Sequence, residues 1–219
     1  DENFVKIEGG RFGTMRGVVG LGFKPSEKRR TTRYIASEFF RTNGYVESPQ
    51  KFFRFNLMSK LSTQIGDKDR ITLGLTSFDS RWHASGQIPR RAVESGMITR
   101  FGSIDNSEGG ETNRMNLYVK HIHEFSNGDY FSQQAYTVSY GFNLFSNFTF
   151  YLNDPVNGDQ IQQSESRMVY GYRGNYNTSG SLFGKPLRTE AGVGLRIDDV
   201  NDIRLSHTTK REFLNDFKR

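Results

Sequence analysis

The residues best equipped for chemistry lie in one stretch, "RWHASGQIPRR", at positions 81–91. Its indole, imidazole, amide and guanidinium groups belong to Arg81, Trp82, His83, Gln87, Arg90 and Arg91. An aromatic surface beside hydrogen-bonding and cationic groups suits an acidic or chelate-like ligand. The same side chains could instead pack and cap their own segment, since loops also need internal contacts. The stretch therefore predicts a ligand-binding segment, with a purely structural role as the alternative.

A second candidate is the pair His121 and His123, whose spacing puts both imidazoles on one face of a strand. Two imidazoles could contribute to a metal site. A stable site needs further ligands, and the pattern offers no carboxylate or third ligand on that face. The sequence therefore predicts no metal site.

Catalytic machinery is not recognisable in the sequence. The chain has four histidines, and no Ser/His/Asp or paired-carboxylate arrangement stands out. The glycine-rich stretches "EGGRFG" and "GVVGLG" are not followed by a helix pattern that could cradle a phosphate. We expect neither enzyme activity nor a cofactor.

Composition narrows the class of protein. Hydrophobic residues make up 34% of the 219, and no run approaches the roughly 18 apolar residues of a membrane helix. A membrane β-barrel stays possible, because only every second residue of its strands faces lipid. The 19 Phe and 10 Tyr suit the aromatic girdles of such barrels, and there is no Cys for a disulfide. The net charge of +6 comes from cations scattered among 24 acids, so no nucleic-acid partner is expected.

The segment "FFRFNLMSKLSTQI", positions 52–65, alternates between apolar and polar residues. Phe53, Phe55 and Leu57 fall on one face, and Arg54 and Asn56 on the other. A half-buried strand of a soluble sandwich needs only about five or six residues. So long an alternation indicates that the apolar face lies against something thick, and a bilayer is one candidate.

Similar alternation predicts about nine strands, at 3–9, 12–23, 29–41, 51–65, 70–79, 113–125, 130–146, 166–177 and 187–197. Turns at 66–69 and 126–129 are short, whereas the connection at about 80–112 is long. In an up-and-down meander, short turns then gather at one end and long loops at the other, as in outer-membrane barrels. The pattern favours an all-β, antiparallel, up-and-down transmembrane β-barrel over a sandwich.

Charged residues on the polar faces of these strands are expected to line the lumen of the barrel. They are Arg54, Lys60, Arg70, Arg114, Lys120, Arg173, Arg188, Glu190 and Arg196. Solvation and ion pairing alone could also explain them.

The sequence from Ser77 to Arg114 resembles the barrel of TonB-dependent outer-membrane receptors. The resemblance is carried by "WHASGQIP", "RAV", "RFGSID" and "EGG". The start, "VKIEGGRFGTMRG", is similar to the first barrel hairpin of that family, and "YIASEFFRTNGYVESPQKFFRFNLMSKL" to the next hairpin. The similarity covers nearly the whole chain.

The resemblance implies a partial barrel domain over residues 1–219, with an extracellular loop at about 80–112. Members of the family have roughly 22 strands around a plug. They import a scarce metal chelate, cofactor or glycan across the outer membrane of Gram-negative bacteria. Implied partners are outer-membrane lipid, the plug, the remaining strands, the TonB-type energy-coupling complex and the barrel-insertion machinery. We expect the plug and the remaining strands to lie outside these 219 residues, since neither the plug nor a terminal aromatic strand is recognisable.

Two alternatives stay open at this stage. One is a soluble β-sandwich or lectin-like binding domain, with the apolar face of 53–65 buried in protein. The other is a complete, passive outer-membrane barrel of roughly eight to ten strands.

Overall fold

The computed structural model describes residues 3–25 and 30–218, which form a single ten-stranded sheet. The strands are β1 (Phe4–Gly10), β2 (Thr14–Phe23), β3 (Thr31–Thr42), β4 (Phe52–Ile65), β5 (Asp69–His83), β6 (Gly109–Glu124), β7 (Tyr130–Ser146), β8 (Gln160–Leu182), β9 (Lys185–Thr209) and β10 (Glu212–Lys218). Each strand pairs antiparallel with its neighbours in sequence. The all-β, antiparallel, up-and-down arrangement expected from the sequence is confirmed, with ten strands instead of about nine.

The connections differ in length between the two ends of the sheet. One end, the short-turn end, carries the connections at 24–30, 66–68, 125–129 and 183–184. The other, the long-loop end, carries those at 11–13, 43–51, 84–108, 147–159 and 210–211. The loop at 84–108 contains the only helix among the described residues, α1 (Arg90–Glu94). The two longest loops therefore share one end, as the sequence predicted.

The two faces of the sheet differ in polarity. Directly opposed residues of antiparallel strands lie on the same face, and one such row joins Leu61, Leu73, Val119, Ala135, Tyr172 and Leu195. Side chains on this apolar face are exposed, with Leu73 at 46% and Leu195 at 62%. Leu73 and Leu195 are therefore not covered by any of the described residues. The opposite, polar face carries most of the charged side chains at mid-strand.

The apolar residues form a band that crosses the strands diagonally. On β1, the exposed Ile7 belongs to a row that reaches Phe55 on β4 and then turns polar at Asp79. On β9, Leu195 belongs to the row that reaches Leu61, nearer to the short-turn end. A flat membrane layer meets tilted strands along such a diagonal. The later strands consequently project further beyond the band at the long-loop end.

Glycines on the polar face make room for tyrosine rings of neighbouring strands. A Cβ on Gly74 would lie 2.1 Å from the ring of Tyr118, and one on Gly171 would lie 2.0 Å from the ring of Tyr136. Gly74 is directly opposite Tyr118, and Gly171 directly opposite Tyr136. Both tyrosines thus lie flat across the neighbouring backbone.

Several predicted boundaries were wrong. The first turn lies at 11–13, with Phe12 and Gly13 at positive φ, whereas Gly9 and Gly10 belong to β1. Strands β8 and β9 extend well beyond 166–177 and 187–197, and β10 was missed. The segment QIQQSE at the start of β8 has a single apolar residue, so alternation does not mark the strand there, and β10 spans only seven residues. Arg29, the first residue predicted for the third strand, lies outside the described residues.

The described residues contain no helix long and apolar enough to cross a membrane. They also form no second layer over the sheet, and β1 does not pair with β10. A sandwich needs a second sheet, and a complete small barrel needs closure. Neither alternative describes this arrangement.

Candidate functional site

A cleft of about 770 Å³ opens at the long-loop end of the sheet. We call it the basic cleft, and its lining includes Arg41, Lys51, Phe53, Arg81, His83 and Arg211. The row Arg41, Phe53, Arg81 and Glu111 is the continuation of the apolar face beyond the band. Most strand residues that line the basic cleft therefore lie on the same face as the apolar band, and Phe52 and Trp82 join the lining from the opposite face at the strand ends.

The arginines of the basic cleft rest on apolar groups. The guanidinium of Arg81 lies 5.1 Å from the ring centroid of Phe53, and that of Arg211 lies 5.1 Å from the ring centroid of Phe145. Arg41 donates to the Sδ atom of Met15 at 3.0 Å. These contacts hold the guanidinium groups in place without neutralising their charge.

The predicted ligand-binding segment is divided by the structure. Arg81, Trp82 and His83 are not in a loop, because β5 continues to His83 and pairs with β6 as far as Gly109. All three contribute to the basic cleft, with Trp82 on the opposite face of the strand from its two neighbours. Gln87, Arg90 and Arg91 lie in the 84–108 connection outside the cleft, and Arg90 pairs with Glu94 at 2.7 Å.

A buried polar cluster holds the end of the 84–108 loop against the following connections. Asp105 accepts hydrogen bonds of 2.9 Å from both the Nδ2 of Asn147 and the Nε2 of Gln160. Gln160 is 1% exposed and receives a further bond from the hydroxyl of Thr208 at 3.0 Å. Arg211 donates to the main-chain carbonyls of Ser107 and Glu108. Sequence patterns gave no signal for this cluster, since its members come from five separate connections and strand ends.

The two acids of this cluster have opposite pKa shifts. Burial raises the pKa of Glu108 to about 7. The negative charge of Asp105 raises this pKa further, whereas the hydrogen bond from the Asn147 N–H lowers it. Burial also tends to raise the pKa of Asp105. The hydrogen bonds that Asp105 accepts from Ser107 and Asn147 outweigh this effect, so its pKa is lowered. One carboxyl oxygen of Glu108 is buried without a partner among the described residues. Of the pair, Glu108 is the group that changes charge near neutral pH.

On the polar face, Glu38 links charges from three strands. Its Oε1 accepts a hydrogen bond from the Nε of Arg16 at 2.8 Å and another from the Nη2 of Arg54 at 2.7 Å. Arg16 continues the network to Glu8 at 2.6 Å. The network crosses β1 to β4, so it fixes the register of these strands as well as their charge.

All nine residues predicted to line a lumen lie on the polar face, as the strand register requires. Five of them border hollows of that face. Arg114 and Arg173 share one of about 360 Å³, Lys120 and Glu190 share another of about 390 Å³, and Lys60 borders a third. That this face lines a lumen stays a prediction.

Towards the long-loop end the polar face becomes aromatic. Phe40 and Phe142 lie in the row of Arg54, and Phe78 and Tyr140 lie in the row of Arg114. The guanidinium of Arg54 lies 5.4 Å from the ring centroid of Phe40. We call these four rings with Arg54 and Arg114 the aromatic rim. Sequence analysis identified the two arginines but missed the rings, because the pairing of strands brings them together.

At the short-turn end the structure adds a partner to His121 and His123. Each ring places a nitrogen 2.8 Å from Oδ1 of Asp69, which stands opposite His123 on the neighbouring strand. The expectation that this face carries no carboxylate was therefore wrong. Within 3–25 and 30–218, no group of His, Cys, Asp and Glu is arranged to hold a metal ion.

No protein-family model and no curated protein matches this sequence. Solved structures match its fold, among them the following three. The pyoverdine outer-membrane receptor FpvA from Pseudomonas aeruginosa PAO1, bound to pyoverdine, is similar with a TM-score of 0.76 and 10% identity over 98% of this chain. The ferripyoverdine receptor of the P. aeruginosa outer membrane, bound to ferripyoverdine, is similar with a TM-score of 0.70 and 12% sequence identity over 97% of this chain. A complex of FpvAI with pyocin S2 is similar with a TM-score of 0.71 and 10% sequence identity over 99% of this chain.

This chain spans 32% of the length of the first of those chains and 29% of the other two. The similarity confirms, at the level of the fold, the resemblance to TonB-dependent receptors seen in the sequence. The ten strands have the fold of one part of an outer-membrane receptor barrel.

Proposed function

We propose that this chain is part of the β-barrel of an outer-membrane receptor that takes up a scarce ligand with energy from a TonB-type complex. The observation that carries the proposal is the single-layered sheet with an exposed apolar band on one face and charges on the other. Soluble proteins rarely expose contiguous apolar surface on this scale. A bilayer would cover the band, and an aqueous lumen would solvate the polar face.

The sheet also has free edges that further strands would cover. Within residues 3–25 and 30–218, Lys185 to Arg204 of β9 pair with β8 alone, and β1 pairs only with β2. Lipid does not tolerate unpaired backbone groups. In this proposal residues 1–219 are one part of a larger barrel domain, whose other strands and plug complete it.

The long-loop end is the extracellular side in this proposal, and the connection at 84–108, shorter than the 80–112 expected from the sequence, is an extracellular loop. The aromatic rim faces the lumen there and offers rings and guanidinium groups to the ligand. Gln87, Arg90 and Arg91 of the 84–108 loop are proposed as further ligand contacts. A metal chelate, a cofactor or a glycan could each use such a surface.

The other partners follow from the same location. They are outer-membrane lipid around the apolar band, the energy-coupling complex reached through the plug, and the barrel-insertion machinery during assembly. The solved structures of similar fold are receptors, which supports a role in binding and not in catalysis. Neither an enzyme activity nor a nucleic-acid partner belongs to the proposal.

The membrane location can be tested at two adjacent residues of β6. Leu117 lies on the apolar face and Asn116 on the polar face. Residues 1–219 contain no cysteine, so once any cysteine in the rest of the full-length receptor is replaced by serine, Leu117→Cys and Asn116→Cys variants can each carry one fluorophore. Brominated lipid should quench the label at 117 and spare the label at 116. Equal quenching at both positions, or at neither, would contradict the proposed orientation.

Uptake requires a separate measurement in cells. Cells with and without the receptor would be given radiolabelled ferripyoverdine as the first probe, followed by a cobalamin and an oligosaccharide. Receptor-dependent accumulation that stops when the energy supply is dissipated is the expected result for the correct class. Accumulation that persists without energy would indicate a passive pore.

A further inference from the structure

The basic cleft lies immediately beyond the apolar band, on the same face. Phe39 and Phe53 line the cleft, and Phe39 is also directly opposite Phe55 within the band. The rings of Phe39 and Phe53 meet edge to face, with centroids 5.5 Å apart. An amphiphile whose chains lie along the band would therefore bring its polar end to the cleft.

The cleft has a large excess of positive charge. Arg41, Lys51, Arg81 and Arg211 contribute four cations, and Glu111 is the acid in the lining. Within the described part of the chain, none of the four cations lies within ion-pair distance of a carboxylate. Lys51 and Arg211 are also close enough for their charges to act on the ring of His83. Four unpaired cations around one opening favour an anion there.

The arrangement of donors suits a phosphate. Arg41 and Arg81 share a row, one on each side of Phe53. Both are exposed at their guanidinium ends and have donors left over after their contacts with Met15 and the Phe53 ring. The guanidinium fork matches phosphate oxygens in pairs. A volume of about 770 Å³ has room for a headgroup with several polar atoms.

We propose that the basic cleft binds the phosphate-bearing headgroup of an anionic membrane lipid, with the acyl chains of that lipid along Phe39, Phe53 and Phe55. This inference rests on the membrane location proposed above, because the cleft opens on the side that would face lipid. A solute inside the lumen would meet the opposite face of the sheet. The ligand surface for uptake and the lipid site are thus separated by the thickness of one sheet.

The test uses the full-length receptor purified in a neutral detergent. Phosphatidic acid is the probe, diacylglycerol with the same chains is the control without phosphate, and glycerol 3-phosphate is the control without chains. Native mass spectrometry counts the molecules that remain bound. Retention of phosphatidic acid at least tenfold above both controls is expected. Equal retention of diacylglycerol, or equal binding of glycerol 3-phosphate, would overturn the lipid-headgroup site.

A double variant locates the site. Arg41→Gln with Arg81→Gln should lower phosphatidic acid retention about tenfold. Lys68→Gln with Lys185→Gln removes the same charge at the short-turn end, outside the cleft, and should leave retention unchanged. If both variants lose retention equally, general electrostatics explains the binding and the site is wrong. The comparison of the three probes on the unmodified receptor stands even if the first variant fails to fold.

The Leu117→Cys quenching measurement separates the two proposals. Quenching at 117 with no preference for phosphatidic acid leaves the receptor proposal standing and removes the lipid site. Absence of quenching at 117 removes both.

Discussion

The Nε of Arg211 donates a hydrogen bond of 2.6 Å to the main-chain carbonyl of Ser107, although 104 positions separate the two residues in sequence. The bond joins the turn between β9 and β10 to the end of the 84–108 loop. Arg211 has φ of 72°, an uncommon conformation for a residue with a side chain. The tight turn thus places the guanidinium of Arg211 against the 84–108 loop, which lies more than a hundred residues earlier in the chain.

Arg211→Met should release this loop while keeping most of the contact with Phe145. Hydrogen bonds from charged groups contribute roughly 1.5–3 kcal/mol each, so we expect the local opening free energy of 84–108 to fall by about 2 kcal/mol. Amide hydrogen exchange of the full-length receptor measures that opening. Arg90→Met, at an exposed arginine of the same loop, should leave exchange at Ser107 and Glu108 unchanged. Equal protection in both variants would show that Arg211 does not hold the loop.

Glu108 should make the attachment of the loop depend on pH. Its pKa is raised to about 7 from an ordinary value of 4.5, so the folded state holds its proton more tightly than the unfolded state. The stabilisation is complete below about pH 4.5 and is lost as the pH rises through 7, by about 3 kcal/mol. Glu108→Gln should abolish this dependence, and limited proteolysis of the loop at several pH values measures it.

The matched control for that experiment is Glu94→Gln, an exposed acid of the same loop. Its cleavage rates should follow those of the unmodified protein at every pH. A pH dependence that survives in Glu108→Gln would assign the effect to another group, with Asp105 the first to examine.

Gly74→Ala should destabilise the sheet. The new Cβ would stand 2.1 Å from the Tyr118 ring, so the ring must leave the backbone that it covers. Overpacking of this kind costs about 1–3 kcal/mol. Gly17→Ala, also in a strand but with nothing within 4 Å of the added carbon, should not destabilise the protein. The midpoints of denaturant unfolding in lipid vesicles compare the two, and equal midpoints would contradict the close packing of Tyr118.

Glu38→Gln should weaken the pairing of the first four strands. The change leaves Arg16 and Arg54 near each other without the carboxylate that joins them. Because Glu38 is only partly buried, we expect a loss of about 1 kcal/mol. Glu38→Asp, which keeps the charge, should recover part of it. The measurement is thermal unfolding at low and high salt. The difference in melting temperature between the unmodified protein and Glu38→Gln should be smaller in high salt.

Alternation alone predicted much of the fold. From Phe53 to Ile65 it placed the strand, and it also put Arg54 and Lys60 on the face where the structure has them. The prediction succeeded because, within the apolar band, apolar residues recur at every second position of each strand. The period of two then assigns the other face without any knowledge of which strands are neighbours.

The same reasoning failed where that signal ends. Arg81 and His83 continue a strand, but beyond the band their face is polar, so they were assigned to a loop. Asp69 was not recognised as the partner of His121 and His123, because only the pairing of β5 with β6 brings it there. Long-range contacts such as Arg211 with Ser107 leave no local pattern at all.

In the part of the chain that the structure describes, every strand contacts only the strands that precede and follow it in sequence. Pairings of this kind close short loops, which cost little chain entropy and form quickly. The sheet can therefore grow one hairpin at a time in the order of synthesis. Until its next neighbour arrives, each newest strand is a temporary template for mispairing, so assembly must keep pace with the emerging chain.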